Sequence, residues 1–106
     1  MQLLAVSKPP FLMLDFYLIK DTTSKPNNGT SDLDYLGGID YDEFEQLQDE
    51  KVIEGHLDYY KDFRWTSEQV ATKSEALAKS KAKGYKLAEI LTKAREQNCG
   101  VIAYCD

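Results

Sequence analysis

From Phe11 to Ile19 the chain reads FLMLDFYLI, and both alternating sets of side chains are apolar: Leu12, Leu14, Phe16 and Leu18 on one side, Phe11, Met13, Tyr17 and Ile19 on the other. Successive side chains of a strand point to opposite faces, so a strand of this composition has to be covered on both. It is expected at the centre of a sheet, with the remaining elements arranged to cover it. Asp15 interrupts the run; a carboxylate there is expected at a solvated rim or in a hydrogen bond rather than in catalysis.

Gln2 to Val6 reads as a further short strand, separated from the first by Ser7-Lys8-Pro9-Pro10, which cannot continue a ladder because proline lacks the donor. Residues 21 to 31, DTTSKPNNGTS, have no periodicity and read as an exposed loop; the sequon Asn28-Gly29-Thr30 within it acquires no role without secretion. Leu36 to Ile39 reads as a short extended piece. Asp40 and Glu43 then stand in capping-box positions, which predicts a short helix from Tyr41 to Asp49 with Tyr41, Phe44 and Leu47 facing inward. For Val52 to Trp65 the spacing of Ile53, Leu57 and Tyr60 predicts another short helix, while Gly55 and the density of rings also fit irregular packing.

Thr66 to Gln69 forms a second capping box and opens an alanine- and lysine-rich helix expected to run to Lys83, where Gly84 stops it. A following helix from Lys86 to Gln97 carries Leu87, Ile90, Leu91 and Ala94 on one stripe, Gly100 terminates it, and Val101 to Cys105 reads as the last strand. The expected fold is α/β or α+β: a small three- to four-stranded sheet with two longer and one or two short helices packed on it. If the last strand lies beside Phe11 to Ile19, the long helical crossover permits parallel pairing.

At 106 residues the chain is expected to form a single globular domain over 1–106. A net charge of −5 excludes general binding to a phosphate backbone, so no nucleic acid is expected as partner. The apolar N-terminal stretch is broken by Lys8, Pro9 and Pro10 and contains Asp15. It reads as neither signal peptide nor membrane span, which places the protein in the cytoplasm with no membrane partner. Cys99 and Cys105 lack zinc-site spacing and are read as thiols, and no cofactor is expected.

Charge is distributed unevenly. Residues 30 to 62 hold 11 of the 18 carboxylates against two lysines, Lys51 and Lys61, interleaved with Tyr35, Tyr41, Phe44, Tyr59 and Tyr60 and followed by Phe63 and Trp65. From Phe63 to Gly100 eight Lys or Arg face four Glu, read as solvated helix faces with Lys79, Lys81 and Lys83 at a favoured helix end. The opposed halves also allow a homo-oligomer. Acids steer encounter with a basic protein and rings supply the desolvated contacts that hold it. The chain is therefore read as a small acidic protein-binding module and not an enzyme, in concrete form an inhibitor or immunity protein neutralising a basic partner such as a toxin nuclease. The expected contact residues are Asp34, Asp40, Asp42, Asp58, Asp62, Tyr59, Tyr60 and Trp65.

Two alternatives accompany that reading. Asp32-Leu33-Asp34-Tyr35-Leu36-Gly37-Gly38-Ile39-Asp40-Tyr41-Asp42-Glu43-Phe44 resembles the calcium loop of the EF-hand family and its following aromatic. The resemblance implies calcium ligands at Asp32, Asp34, Asp40 and Glu43, with Gly37 at the turn and Ile39 at the hydrophobic position. Leu36 departs from the pattern, having no side-chain oxygen, and Pro26 and the Asn-Asn-Gly turn stand where an entering helix belongs. The other alternative is a small enzyme of unknown chemistry, whose site would draw on carboxylates, the two cysteines and His56, the one histidine.

Overall fold

The computed structural model describes residues 13–24, 33–80 and 85–105. The expected strand at Gln2 to Val6, the proline turn after it and most of the loop up to residue 31 lie outside those residues. Four strands, β1 (Leu14–Ile19), β2 (Asp34–Ile39), β3 (Phe63–Trp65) and β4 (Gly100–Cys105), form one sheet in the order β2-β1-β4-β3. Three helices, α1 (Tyr41–Asp49), α2 (Ser67–Lys79) and α3 (Tyr85–Glu96), complete an α+β fold. Among the described residues no helix is long and apolar enough to cross a membrane.

The doubly apolar run is indeed central: β1 pairs with β2 on one side and β4 on the other. Its pairing places Leu14 and Phe16 on the face shared with Ile39, Ala103, Val101 and Trp65, all buried in the main core. On the other face Ile19 and Ile102 are buried too, and Asp15 accepts a hydrogen bond from the Tyr35 hydroxyl at 3.2 Å. Both sides of the strand are thus covered, and the carboxylate within it is hydrogen-bonded.

β4 lies beside β1 as expected, but antiparallel to it. The reason is topological: two helices, not one, connect β3 to β4, carrying the chain out and back to the end of the sheet where β3 stops. β4 then begins in close contact with β3, and a side chain at Gly100 would overlap the Trp65 carbonyl oxygen. Gly100 is therefore a residue of close approach. The turn after α3 is made instead by Asn98, which takes φ 55 while Cys99 N–H bonds to the Ala94 carbonyl and Asn98 N–H to that of Arg95. α1 ends the same way, with Lys51 at φ 63 and Val52 N–H bonded to the Leu47 carbonyl.

The helices cover the sheet with Phe44 and Leu47 of α1, Val70 and Leu77 of α2, and Leu87, Ile90, Leu91 and Ala94 of α3. α3 lies close to β2 because Gly37, at φ 145 beside an irregularity in the β1–β2 register, has no Cβ; one placed there would stand 3.1 Å from Ile90 Cγ1. The Lys93 ammonium donates to the Leu36 carbonyl at 3.2 Å across the same contact.

Two helical expectations need correction. Residues 52–65, expected as a helix, instead form a series of turns up to residue 62 followed by strand β3, because Lys51 takes a left-handed φ of 63 that ends the helical path and the Gln48 amide then holds the Glu54 and Leu57 carbonyls. The expected helix to Lys83 ends at Lys79, where Ser80 turns to an extended backbone; residues 81–84 lie outside the described set. Its start is as anticipated: Thr66 and Gln69 form a reciprocal capping box, reinforced by Asp21, whose carboxylate accepts from Ser67 N–H and hydroxyl at 2.8 and 2.6 Å. Those two bonds hold the Asp21 carboxyl below its ordinary range.

Candidate functional site

The residues anticipated to bind a partner surround the start of α1 only in part. Asp40 is its N-cap, accepting a hydrogen bond from Glu43 N–H at 2.9 Å. Glu43 does not return the bond. Its carboxylate reaches across to α3 and accepts from Leu87 N–H at 3.1 Å, satisfying a donor in the first turn of that helix. Burial pushes the Glu43 carboxyl up, against the opposing effect of that bond. Both acids therefore hold helices in place.

The other carboxylates of α1 are arranged differently. Asp42, Glu45 and Asp49 recur at helical spacing, exposed, on the side away from buried Phe44 and Leu47. Tyr41 and Gln48 occupy the flank between that acidic stripe and the core. Gln48 anchors the turns that follow: its amide nitrogen donates to the carbonyls of Glu54 and Leu57, each at 2.9 Å. The chain from His56 to Tyr60 is thereby held against α1.

Tyr59 is the keystone of that contact. It is buried, its ring meets Phe44, Tyr41 and Tyr60 edge-on at centroid distances of 5.4, 5.3 and 5.1 Å, and its hydroxyl donates to the Ile39 carbonyl at 3.3 Å. Burial first, with lesser contributions from Cys105 and Asp40, pushes its phenol up to about 12. Tyr60 points outward, 53% exposed, and stacks on Tyr41 with centroids 6.2 Å apart and planes at 24°. Its backbone N–H donates to Asp58 Oδ1 at 2.9 Å, which fixes that carboxylate within the same turn. Between α1 and this turn lies a hollow of about 320 Å³, with Phe44 and Tyr59 at its floor and Tyr41, Gln48, His56, Asp58 and Tyr60 around it.

Of the anticipated contact residues, Asp34, Asp40, Asp42, Asp58, Asp62 and Tyr60 are exposed. Tyr59 and Trp65, 3% and 1% exposed, are interior residues, so direct contact with a partner through their rings is ruled out as the structure stands. Trp65 packs on Phe16 and Phe63, and the Lys73 ammonium lies 4.6 Å from its ring centroid while pairing with Glu54 at 2.7 Å. Asp34 opens β2 and stands apart from the rest, roughly 17 Å of strand away from the start of α1. Sequence reasoning omitted Glu45, Asp49, Tyr41, Gln48 and His56 from the contact set. The spacing of Asp42, Glu45 and Asp49 opposite Phe44 and Leu47 was the signal for two of them.

The segment resembling a calcium loop takes another form. Asp34 to Ile39 is a strand and Tyr41 onward a helix, so Asp34 and Glu43 stand at opposite ends rather than round a common centre. Asp40 and Glu43 each accept a backbone bond, and Asp32 lies outside the described residues. Among the described residues no three His, Cys, Asp or Glu side chains are placed to hold a metal ion. Comparison with protein-family models, with curated proteins and with solved structures finds no match to this chain.

Proposed function

We propose that this chain is a small acidic protein-binding module that takes up a basic protein on the outer face of α1 and the adjoining turn at residues 56–60. The observation that carries the reading is that Asp42, Glu45 and Asp49 line an exposed helix face that adjoins the exposed ring of Tyr60. Aligned like charges on a surface cost stability by mutual repulsion and gain their use when a complementary surface arrives. An exposed tyrosine beside them supplies a contact that excludes water. An inhibitor or immunity-type protein that offers carboxylates where a toxin nuclease holds phosphates has these properties.

Affinity capture from the native cell extract tests the proposal. The chain is expected to retain a basic protein at low salt and release it as ionic strength rises, and the Asp42→Asn, Glu45→Gln, Asp49→Asn variant is expected to retain much less. Equal retention by both forms contradicts it.

A further inference from the structure

The hollow beside Tyr60 has a shape and chemistry that the acidic stripe alone does not explain. Phe44 and Tyr59, both buried, lie beneath it, its volume is about 320 Å³, and Tyr41, Gln48, His56, Asp58 and Tyr60 also line it. Asp58 is held there by its bond to Tyr60 N–H, which uses Oδ1 and leaves Oδ2 of this exposed residue able to accept. An exposed ring face with a carboxylate two residues before it in the same turn suits a cation at the tip of a long side chain.

We propose that this hollow receives one arginine side chain of the basic partner, its guanidinium laid on the exposed face of Tyr60 and hydrogen-bonded to Asp58. The proposal rests on the reading of the α1 face as a basic-partner surface and names the anchor within it. Arginine is favoured over lysine because its planar, weakly hydrated group both stacks on a ring and forks towards a carboxylate, whereas an ammonium is a compact and strongly hydrated point charge. Tyr41 and Gln48 border the hollow on one side and the acidic stripe on the other, so a basic segment lying along Asp42, Glu45 and Asp49 is positioned to drop one side chain in.

Fluorescence anisotropy with labelled octa-arginine and octa-lysine separates this anchor from the wider surface. Octa-arginine is expected to bind more tightly than octa-lysine. Tyr60→Ala is expected to weaken octa-arginine binding roughly 3- to 10-fold, the range of a cation–π contact, with little effect on octa-lysine. Tyr60→Phe keeps the ring and is expected to keep the affinity, while Asp58→Asn loses part of it. If both peptides bind equally and Tyr60→Ala changes neither, the arginine anchor is overturned and the acidic surface stands. If neither peptide binds at low salt, both fall.

Discussion

The carboxylate of Glu43, in the first turn of α1, accepts a hydrogen bond from the backbone N–H of Leu87, in the first turn of α3. One acid of the densest acidic stretch thus joins two helices. Removing the acceptor with Glu43→Ala leaves a helix-start donor unpaired and is expected to cost about 1–2 kcal/mol in denaturant unfolding. Glu43→Gln keeps an oxygen for Leu87 and removes a charge that burial disfavours, so it is expected to fall within about 0.5 kcal/mol of the parent. A loss in Glu43→Gln as large as in Glu43→Ala shows that the charge, rather than the bond, holds the helices.

Lys73 joins the middle of α2 to the turn after α1 by pairing with Glu54 and donating to the Val52 carbonyl at 3.3 Å. Its side chain is 11% exposed and that of Glu54 32%, so the pair lies between the surface and interior regimes. Lys73→Met is expected to cost about 1–3 kcal/mol, part of it recovered by adding Glu54→Gln. Trp65 fluorescence should change in every variant lacking the ammonium over its ring. An unchanged emission spectrum in Lys73→Met contradicts the described geometry.

The buried phenol of Tyr59 gives the fold an alkaline limit. Its pKa rises from 10.0 to about 12 on folding. The stability linked to that proton is complete below pH 10 and is lost as pH climbs from about 10 to about 12, because the unfolded chain ionises first. Stability measured across that interval should fall, and fall less steeply in Tyr59→Phe. That variant also loses the bond to the Ile39 carbonyl and should be weaker at neutral pH by about 1 kcal/mol. Identical slopes for the two proteins refute the assignment.

Two backbone positions should respond in opposite directions to glycine chemistry. Lys51 takes a left-handed conformation at φ 63, so Lys51→Gly is expected to stabilise by about 0.5–1 kcal/mol. Gly37→Ala forces a side chain into φ 145 and against Ile90 and is expected to destabilise by about 2 kcal/mol or more. Thermal unfolding of the two variants measures both effects, and a stabilised Gly37→Ala contradicts the packing of α3 on β2.

Much of this architecture is legible in local sequence. β1 announces itself through apolar residues on both alternations, and α1 through Asp40 followed by Phe44 and Leu47, since cap chemistry and helical spacing agree. Residues 51–62 resist such reading because their form is set by distant partners: the Gln48 amide grips two carbonyls, Lys73 grips Glu54, and Tyr59 reaches back to Ile39. The direction of β4 is set through β3, and Phe63–Trp65 is too short a strand for its alternation to show in the sequence. At the site, the acids are visible as composition, yet composition does not separate Asp40, a cap, from Asp49, a surface charge. Nor does it distinguish the exposed ring of Tyr60 from its buried neighbour Tyr59.

Amide chemical-shift mapping with octa-arginine at low salt tests the central claim most directly, because it locates the surface rather than inferring it from affinity. The account predicts that the largest shifts fall on Asp42, Glu45 and Asp49 of α1 and on residues 57 to 61, and that raising salt removes them. Shifts spread evenly over the protein, or concentrated on α2 and β3, would contradict it.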